Sequence, residues 1–409
     1  MKTKAFPALV PAPGYIDEVP AVPYDVVNSK EAAALAEGKT HSLLHVSRPE
    51  IDFPEGSSPT PDELYQRAAE NLQKLQADGA LIREPQDCVY VYRQQMGDHV
   101  QTGITLACHI DDYANNVIRK HEKTRPDKEN DRTLLASTLN AHIGPVFLTY
   151  KDDAAIDALV EKITSGQKPD MVTTDESGVI HTAWRIVGGD DITTAFENVP
   201  LAYVADGHHR TASAARVGRE RAAANLDHDG SESYNWFLTV LFPSSQLNIL
   251  SYNRYVHDLN GLDAEELLEK IGKICDVKTC DEQSEPSTAG QVCMFLGEQW
   301  YNLTLPSAGS DDPVAQLDVS ILQDQILTPL LAIDDPRTST RISFVGGIRG
   351  TGELEKLVNT NQQGVAFSLY PVSIDQLIAI SDADQIMAPK STWFEPKLRS
   401  GMFIYTIDT

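Results

Sequence analysis

The residues best suited to chemistry form the run Asp-Gly-His-His-Arg at positions 206–210, which follows the apolar residues 201–205 and precedes an alanine-rich stretch. This pattern predicts a strand, a tight turn and a helix. The first N–H groups of a helix have no acceptor within it, and the positive end of the helix dipole favours an anion such as phosphate. Gly207 lets the backbone approach a ligand closely, and Arg210 offers a planar fork of donors. The run therefore predicts a site for a phosphorylated or acidic small molecule.

Individual roles follow from the residue types in this run. Asp206 suits a general base or a magnesium ligand, and His209 suits a donor to phosphate. The structural alternative is that Asp206 caps the helix and the histidines lie in a solvated turn. Capping requires the aspartate alone, so two histidines and an arginine favour the functional interpretation.

A second candidate cluster lies near the C-terminus, where Lys390, Lys397 and Arg399 stand among two hydroxyl residues and two prolines. In so acidic a protein these side chains suit phosphate or carboxylate binding. The alternative, a surface loop constrained by proline, is left open. The glycine-rich residues 343–350 match neither common phosphate-loop pattern, so they indicate little by themselves.

Composition limits the classes of protein to be considered. The chain has 409 residues, is 41% hydrophobic and carries a net charge of −25. This charge argues against sequence-independent binding to nucleic acid, which needs basic side chains. No apolar run approaches the roughly 20 residues that span a bilayer, and the N-terminus lacks the apolar segment of a signal peptide. We expect a cytoplasmic protein with neither nucleic acid nor membrane as a partner. The five cysteines lack metal or disulfide spacing.

The pattern of apolar residues predicts strands alternating with helices, and hence a mixed α/β or α+β fold. The predicted elements include a helix over 29–38 with Ser29 as N-cap, a helix over 59–78, a hairpin over 88–108 and a helix over 112–121. The charged residues 119–132 are also compatible with a solvated loop. Changes in pattern predict three regions, which span residues 1–85, 86–228 and 229–409.

Six motifs together carry a resemblance to a known family. They are Val-Pro-Tyr-Asp-Val (22–26), His-Val-Ser-Arg-Pro-Glu (45–50), Arg-Lys-His-Glu-Lys-Thr-Arg (119–125), Ala-Asp-Gly-His-His-Arg (205–210), Phe-Val-Gly-Gly (344–347) and Pro-Lys-Ser-Thr-Trp-Phe-Glu-Pro-Lys (389–397). In this order they resemble the DUF1015 family over nearly the whole chain. The Asp-Gly-His-His-Arg run is also similar to that of free-serine kinases of the ParB/sulfiredoxin superfamily, which transfer a phosphoryl group from ADP or ATP to L-serine.

The resemblance implies a ParB/sulfiredoxin-like catalytic core at 86–228, elaborated by N-terminal and C-terminal α+β regions. It also implies that Glu122 deprotonates the serine hydroxyl and that His121 lies beside the substrate. Phosphoryl transfer needs positioning and charge neutralisation more than covalent help. The full assignment comprises catalytic Glu122, Asp206 and His209; phosphate-binding Gly207, His208, His209, Arg210, Thr211, Lys390 and Lys397; substrate-binding His121 and Arg254; and Mg²⁺ ligands Asp206 and Glu122.

Three functions are compatible with these residues. The first is a magnesium-dependent kinase that uses ATP or ADP to phosphorylate free L-serine or a similar amino acid. The others are a non-catalytic regulator that binds a nucleotide and a nucleotide hydrolase. Sulfinic-acid reduction is disfavoured because no cysteine stands in the run at 206–210, and chromosome partitioning is disfavoured by the acidic charge. The expected partners are a nucleotide and a small amino acid, and a homodimer is compatible with the sequence.

Overall fold

The computed structural model describes residues 1–280, 285–361 and 363–408. Packing divides the chain into two compact units. The first unit comprises Met1–Lys120, Thr124–Leu247 and Pro396–Thr409, and the second comprises His121–Lys123 and Asn248–Glu395. Each unit combines helices with mainly antiparallel sheet, so the predicted α+β class is confirmed. The three-region division stays a prediction.

The strands of the described residues are numbered in chain order. They are β1 (Thr3–Lys4), β2 (Leu9–Pro11), β3 (Leu81–Arg83), β4 (Cys88–Met96), β5 (His99–His109), β6 (Ile118–Arg119), β7 (Ala141–His142), β8 (Val146–Tyr150), β9 (Met171–Thr174), β10 (Ile180–Val187), β11 (Ala202–Asp206), β12 (Trp236–Pro243), β13 (Asn248–Leu250), β14 (Tyr252–Val256), β15 (Asp276–Cys280), β16 (Gln291–Leu296), β17 (Gln299–Thr304), β18 (Ile342–Gly346), β19 (Val365–Leu369), β20 (Trp393–Glu395) and β21 (Tyr405–Thr406).

The α-helices are numbered in the same way. They are α1 (Ser29–Ala36), α2 (Leu44–Ser47), α3 (Pro61–Ala77), α4 (Ile110–Ala114), α5 (Pro126–Leu139), α6 (Ala154–Gly166), α7 (Asp190–Glu197), α8 (His208–Ala224), α9 (Ala264–Gly272), α10 (Asp318–Leu322), α11 (Thr328–Leu331), α12 (Gly350–Asn361) and α13 (Ile374–Asp382). A π-helical turn at Gln323–Leu327 joins α10 to α11. No helix within the described ranges has the length and apolar character needed to cross a membrane.

The main sheet of the first unit has the strand order β6-β11-β8-β12-β5-β4-β10-β9, with β1 added beside β5. The pairs β6–β11 and β8–β12 are parallel, and the other pairs are antiparallel. Helix α8 contributes Ala214 and Ala215 to the core cluster that also contains Leu148 and Val204 of the sheet. At Gly218 a Cβ atom would lie 2.5 Å from the Tyr234 carbonyl oxygen. Small residues thus let α8 pack closely, which positions its N-terminus beside β11.

Local sequence signals explain the helices near the N-terminus. Pro61 opens α3, and Thr60 and Glu63 form a reciprocal capping box, which confirms the predicted helix. For α1 the predicted N-cap, Ser29, is wrong. Asn28 is the N-cap, because its side chain accepts from the Glu31 N–H at 2.9 Å while the Glu31 carboxylate accepts from the Asn28 N–H at 2.9 Å.

The helix predicted over residues 112–121 is also wrong. Helix α4 ends at Ala114, and Asn116 adopts a left-handed backbone conformation with φ +56°. Asparagine tolerates this conformation better than most residues, and it ends the helix. The next apolar residue, Ile118, is fully buried in β6, where it pairs with Ala202 of β11. The apolar residues at 117–118 therefore add an edge strand to the sheet. Further along the charged segment, α5 begins at Pro126.

The second unit is built on a six-stranded sheet of order β15-β17-β16-β19-β14-β18, with β13 and β20 forming a separate pair. Its core cluster includes Tyr255 and Trp300. Packing accounts for the glycine-rich residues noted in the sequence. A Cβ atom on Gly346 would lie 2.6 Å from the Trp393 ring, and one on Gly347 would lie 2.7 Å from the Ser251 carbonyl oxygen.

The pH dependence of stability is expected to include a contribution from His142 in β7. Burial lowers the pKa of His142 to about 4, and the Arg221 guanidinium acts in the same direction. Below its ordinary pKa of about 6.5 the unfolded chain takes up a proton that the folded chain does not, so stability falls as pH drops towards 4. We expect a loss of about 2 kcal/mol over this range. Chemical denaturation at several pH values should show a smaller loss for His142→Gln, and an unchanged pH dependence in that variant would contradict the assignment.

Candidate functional site

The site begins where β11 meets α8. The pairing of β11 with β8 shifts in register between Val204 and Asp206, which places a β-bulge at Ala205. A bulge redirects the side chain that follows it, and bulges are common beside functional sites. Asp206 is the last residue of β11, and Gly207 is the N-cap of α8. The predicted sequence of strand, turn and helix is therefore present.

Asp206 does not cap the helix. The N-cap of α8 is Gly207, which has no side chain to cap with, and the first bond of the helix runs from the Thr211 N–H to the Gly207 carbonyl at 2.9 Å. Instead, Asp206 Oδ2 accepts from Arg210 Nη2 at 2.9 Å, and Asp206 Oδ1 lies 3.9 Å from Lys397 Nζ. The carboxylate is held between two cations, while the amides of the first helical turn have no acceptor within the helix.

Arg210 is held on both sides of this turn. It donates from Nη2 to Asp206 and from Nη1 to the carbonyl of Pro145, the residue just before β8. The guanidinium also packs over Gly207, where a Cβ atom would lie 3.1 Å from three of its atoms. Gly207 is required for a second reason, because its φ of +98° is a conformation that other residues rarely adopt.

We expect Gly207→Ala to lower the free energy of unfolding by about 1–3 kcal/mol, because it combines a strained backbone with a close contact to Arg210. The matched control is Gly166→Ala at the end of α6, where a Cβ atom would meet nothing within 4 Å. Urea denaturation measures both. Equal stability of the Gly207 variant and the wild type would contradict this account of the turn.

Lys397 is positioned by residues that the sequence did not single out. Gln94 Nε2 donates to the Lys397 carbonyl at 2.9 Å, and Gln101 Nε2 donates to Gln94 Oε1 at 2.9 Å. Both glutamines are fully buried and pair across the β4–β5 hairpin. A signal was present, since Gln94 continues the alternate buried row of Tyr90 and Tyr92. A buried polar side chain in such a row needs a partner.

The remaining residues of the run have distinct surroundings. The backbone N–H of Arg125 donates to His209 Nε2 at 3.1 Å, so in this arrangement that nitrogen is unprotonated and the neutral ring carries its proton on Nδ1. Thr211 is fully buried and donates from Oγ1 to the Gly207 carbonyl at 3.0 Å. His208 is buried as well. The phosphate-binding roles of Thr211 and His208 stay predictions.

Arg399, noted in the second cluster, is engaged by acidic residues of the first unit. It donates from Nη1 to Glu176 Oε1 at 2.9 Å and pairs with Asp175. Burial opposes ionisation of Asp175, but hydrogen bonding by His181 and the charge of Arg399 outweigh it and hold the pKa of that carboxyl well below its usual range. This pairing gives Arg399 a structural role.

Four predicted site residues belong to the second unit. His121 is buried, its carbonyl accepts from the Met387 N–H at 2.8 Å, and its Nε2 lies 3.3 Å from Thr392 Oγ1. Arg254 is also buried, and it donates to the carbonyls of Tyr252 at 2.6 Å, Lys390 at 2.7 Å and Pro389 at 3.1 Å.

These contacts give Arg254 a defined task. It holds the turn at Lys390, whose φ of +55° is left-handed. Burial lowers the pKa of Arg254 to about 10, while Tyr252 and Glu122 oppose that shift. Glu122 therefore interacts electrostatically with Arg254. The substrate-binding roles of His121 and Arg254, and the phosphate-binding role of Lys390, stay predictions.

The fit of the residues to Mg²⁺ can be tested on their surroundings. Within residues 1–280, 285–361 and 363–408, no three histidine, cysteine, aspartate or glutamate side chains form a group that could hold a metal ion. Asp206 faces two cations rather than further carboxylates. These residues do not form a ready-made Mg²⁺ site, and the assignment of Asp206 and Glu122 as ligands stays a prediction.

The geometry at the β11–α8 junction suits the binding of an anion. An anion placed beyond the first turn of α8 would meet backbone N–H groups and the positive end of the helix dipole. Arg210 and Lys397 add positive charge next to that position. In a chain with a net charge of −25, this local concentration of donors is specific to the junction and not a general property of the surface.

Comparison with known proteins gives a family but no activity. The chain belongs to the DUF1015 family, described as proteins of unknown function, which matches residues 3–320. No curated protein matches the chain significantly.

Three solved structures are similar to the chain at low identity. C-terminally truncated SbnI from Staphylococcus aureus is 12% identical with a TM-score of 0.39, over 72% of this chain and 85% of SbnI. A free serine kinase in complex with AMP is 11% identical with a TM-score of 0.35, over 71% and 86%. A conserved hypothetical protein from Pyrococcus furiosus is 11% identical with a TM-score of 0.36, over 72% and 93%. Each similarity is too distant to assign an activity.

Proposed function

We propose that this protein is a phosphotransferase that moves a phosphoryl group from ATP or ADP to the hydroxyl of free L-serine. The observation that carries the proposal is the arrangement of Asp206 at the start of α8. Its carboxylate is engaged by Arg210 and Lys397 and leaves the helix N-terminus to another group. A terminal phosphate of a nucleotide has the charge and the acceptor oxygens that this position suits.

In this proposal the donor phosphates lie at the first turn of α8. Backbone N–H groups at positions 208–210 and the side chains of Arg210 and Lys397 neutralise charge that spreads over the phosphoryl oxygens during transfer. Gly207 keeps the backbone open to a close approach. His209, with an unprotonated Nε2 in this arrangement, turns its Nδ1–H to an acceptor.

The choice of L-serine rests on the motif at residues 205–210 and on the His-Glu pair at 121–122, both similar to those of free-serine kinases. The serine oxygen attacks the terminal phosphorus, and the bond from that phosphorus to the bridging oxygen of the nucleotide breaks. The hydroxyl proton passes to the Glu122 carboxylate. The products are O-phosphoserine and a nucleotide shorter by one phosphate.

The proposal is tested by incubating the pure protein with Mg²⁺, L-serine and either ATP or ADP, and then measuring O-phosphoserine by mass spectrometry. We expect phosphoserine in an amount equal to the nucleotide consumed. Release of inorganic phosphate at the same rate with or without serine would instead identify a hydrolase. Nucleotide binding without any turnover would identify a regulator. Either result would overturn the kinase assignment.

Glu122→Gln is expected to reduce phosphoserine formation about 10²–10⁴-fold, because the amide cannot accept the hydroxyl proton. Nucleotide affinity should change little, since the proposal places Glu122 at the acceptor. The control is Glu265→Gln, which removes an exposed carboxylate from α9 of the same unit. Turnover and calorimetric titration with ADP distinguish the two effects. Wild-type turnover in the Glu122 variant would leave Asp206 as the leading candidate base.

A further inference from the structure

A cavity of about 60 Å³ lies within the first unit, between α5, the segment that leads through β7 into β8, and α8. A single water needs roughly 10–15 Å³ on this measure, so the cavity accommodates four to six such volumes, about the size of a molecule with five heavy atoms. Most of the lining is aliphatic and includes Leu135, Leu139 and Val146. The size and the lining suit a short aliphatic body.

Two buried polar atoms on the lining have no hydrogen-bond partner. Ser47, at the end of α2, is only 3% exposed, and its Oγ is unpaired. The Nε of Arg210 is buried and also unpaired, although both Nη atoms of that guanidinium are engaged. Leaving a buried donor unsatisfied is costly. Because Nε is only a donor, an acceptor in the cavity would satisfy it.

The charges on the lining favour an anion. Arg132 and Arg210 line the cavity, and its lining contains no aspartate or glutamate. The guanidinium of Arg132 lies 3.9 Å from the centre of the Tyr24 ring, another lining residue. His142 also lines the cavity, but its lowered pKa leaves it neutral near pH 7. Two arginines without a side-chain carboxylate attract a negative group and offer no partner to an ammonium.

Close packing keeps part of the cavity open to the arginine. A Cβ atom on Gly144 would lie 2.7 Å from Ser400 Oγ and 3.8 Å from Arg210 Nη1. Any larger residue at position 144 would crowd the polar end of the cavity. Ser400 and Gly144 both belong to the lining. The polar end is thus formed by a small residue, two hydroxyls and two guanidinium groups.

We propose that this cavity binds a short aliphatic carboxylate, with its carboxylate at Arg210 Nε and Ser47 Oγ and its hydrocarbon body against the leucines of α5. The inference stands on the cavity itself, goes beyond phosphate transfer and is read out by binding. The site differs from one for an amino acid, because the lining offers no side-chain carboxylate to the ammonium. Propionate, with five heavy atoms, is the matching probe.

The experiment is a ligand-observed NMR and thermal-shift titration of the full-length protein with propionate, propionamide and L-alanine. Propionate is expected to bind and to raise the melting temperature, propionamide to bind at least about tenfold more weakly, and L-alanine to bind more weakly than propionate. Equal binding of propionate and propionamide, or no binding of propionate, would overturn the proposal and leave a cavity filled with water.

Variants connect the binding to the named residues. Arg132→Gln should weaken propionate binding about tenfold, whereas Arg216→Gln, which alters an exposed arginine paired with Glu220 on α8, should not. Ser47→Ala provides a variant that folds normally, because its hydroxyl has no partner to lose. It should keep the melting temperature of the unliganded protein and weaken propionate binding severalfold. Unchanged propionate affinity in both the Arg132 and the Ser47 variants would refute the site.

Discussion

Asp206→Asn is expected to reduce phosphoserine formation about 10²–10⁴-fold while the protein remains folded. The substitution keeps the volume of the side chain and removes the charge that Arg210 and Lys397 surround. Two cations positioned for one carboxylate would then act on the phosphates without their counter-charge, and the geometry of transfer would be lost. The side chain is 29% exposed and is not the helix cap, so we expect only a small change in stability.

The same helix provides the control for this prediction. Arg216 donates to Glu220 at 2.8 Å with the four-residue spacing that also joins Asp206 to Arg210. Glu220→Gln therefore removes a comparable pair away from the helix N-terminus, and its turnover should match that of the wild type. Turnover is measured by mass spectrometry and stability by urea denaturation. An Asp206→Asn protein that retains wild-type turnover would show that this carboxylate serves only to pair with Arg210.

Arg210→Lys is expected to weaken nucleotide binding by about 1–3 kcal/mol, the range for hydrogen bonds to charged groups. The guanidinium bonds to Asp206 and to the Pro145 carbonyl at the same time, and it packs flat over Gly207. A lysine ammonium is a single point of charge and cannot reproduce this planar arrangement. We therefore expect the loss even though the formal charge is unchanged.

Calorimetric titration with ADP measures this effect, and Arg216→Lys on the exposed face of α8 is the control. The control should bind ADP as the wild type does. The contrary finding would be a dissociation constant for Arg210→Lys that equals the wild-type value, which would separate Arg210 from nucleotide recognition and leave it as the partner of Asp206.

The strand, turn and helix around Asp206 could be predicted because the signals are local. An apolar run, a glycine and an alanine-rich stretch act over neighbouring residues, and the structure has β11, Gly207 and α8 at these positions. The same holds for α3, where Pro61 and the pair of Thr60 and Glu63 mark the first turn. Local chemistry of this kind needs no knowledge of the rest of the chain.

Other features depend on contacts that are distant in sequence. No pattern indicates that Lys397 lies beside Asp206, because that approach depends on how the C-terminal segment returns to the first unit. The two glutamines that hold the Lys397 backbone could be recognised only as unusual buried polar residues. Residues 117–118 were misassigned because two apolar residues suit a helix face and a short buried strand equally well, and pairing with β11 decides between them.

The most direct test of the central claim is a crystal structure of the protein with ADP. The account predicts the terminal phosphate beyond the first turn of α8, with its oxygens within hydrogen-bond distance of backbone N–H groups at positions 208–210 and of Lys397 Nζ. Contacts from Arg210 to the phosphates are expected as well. A nucleotide bound at another surface, with water alone beyond the first turn of α8, would contradict the claim that this turn is the phosphate site.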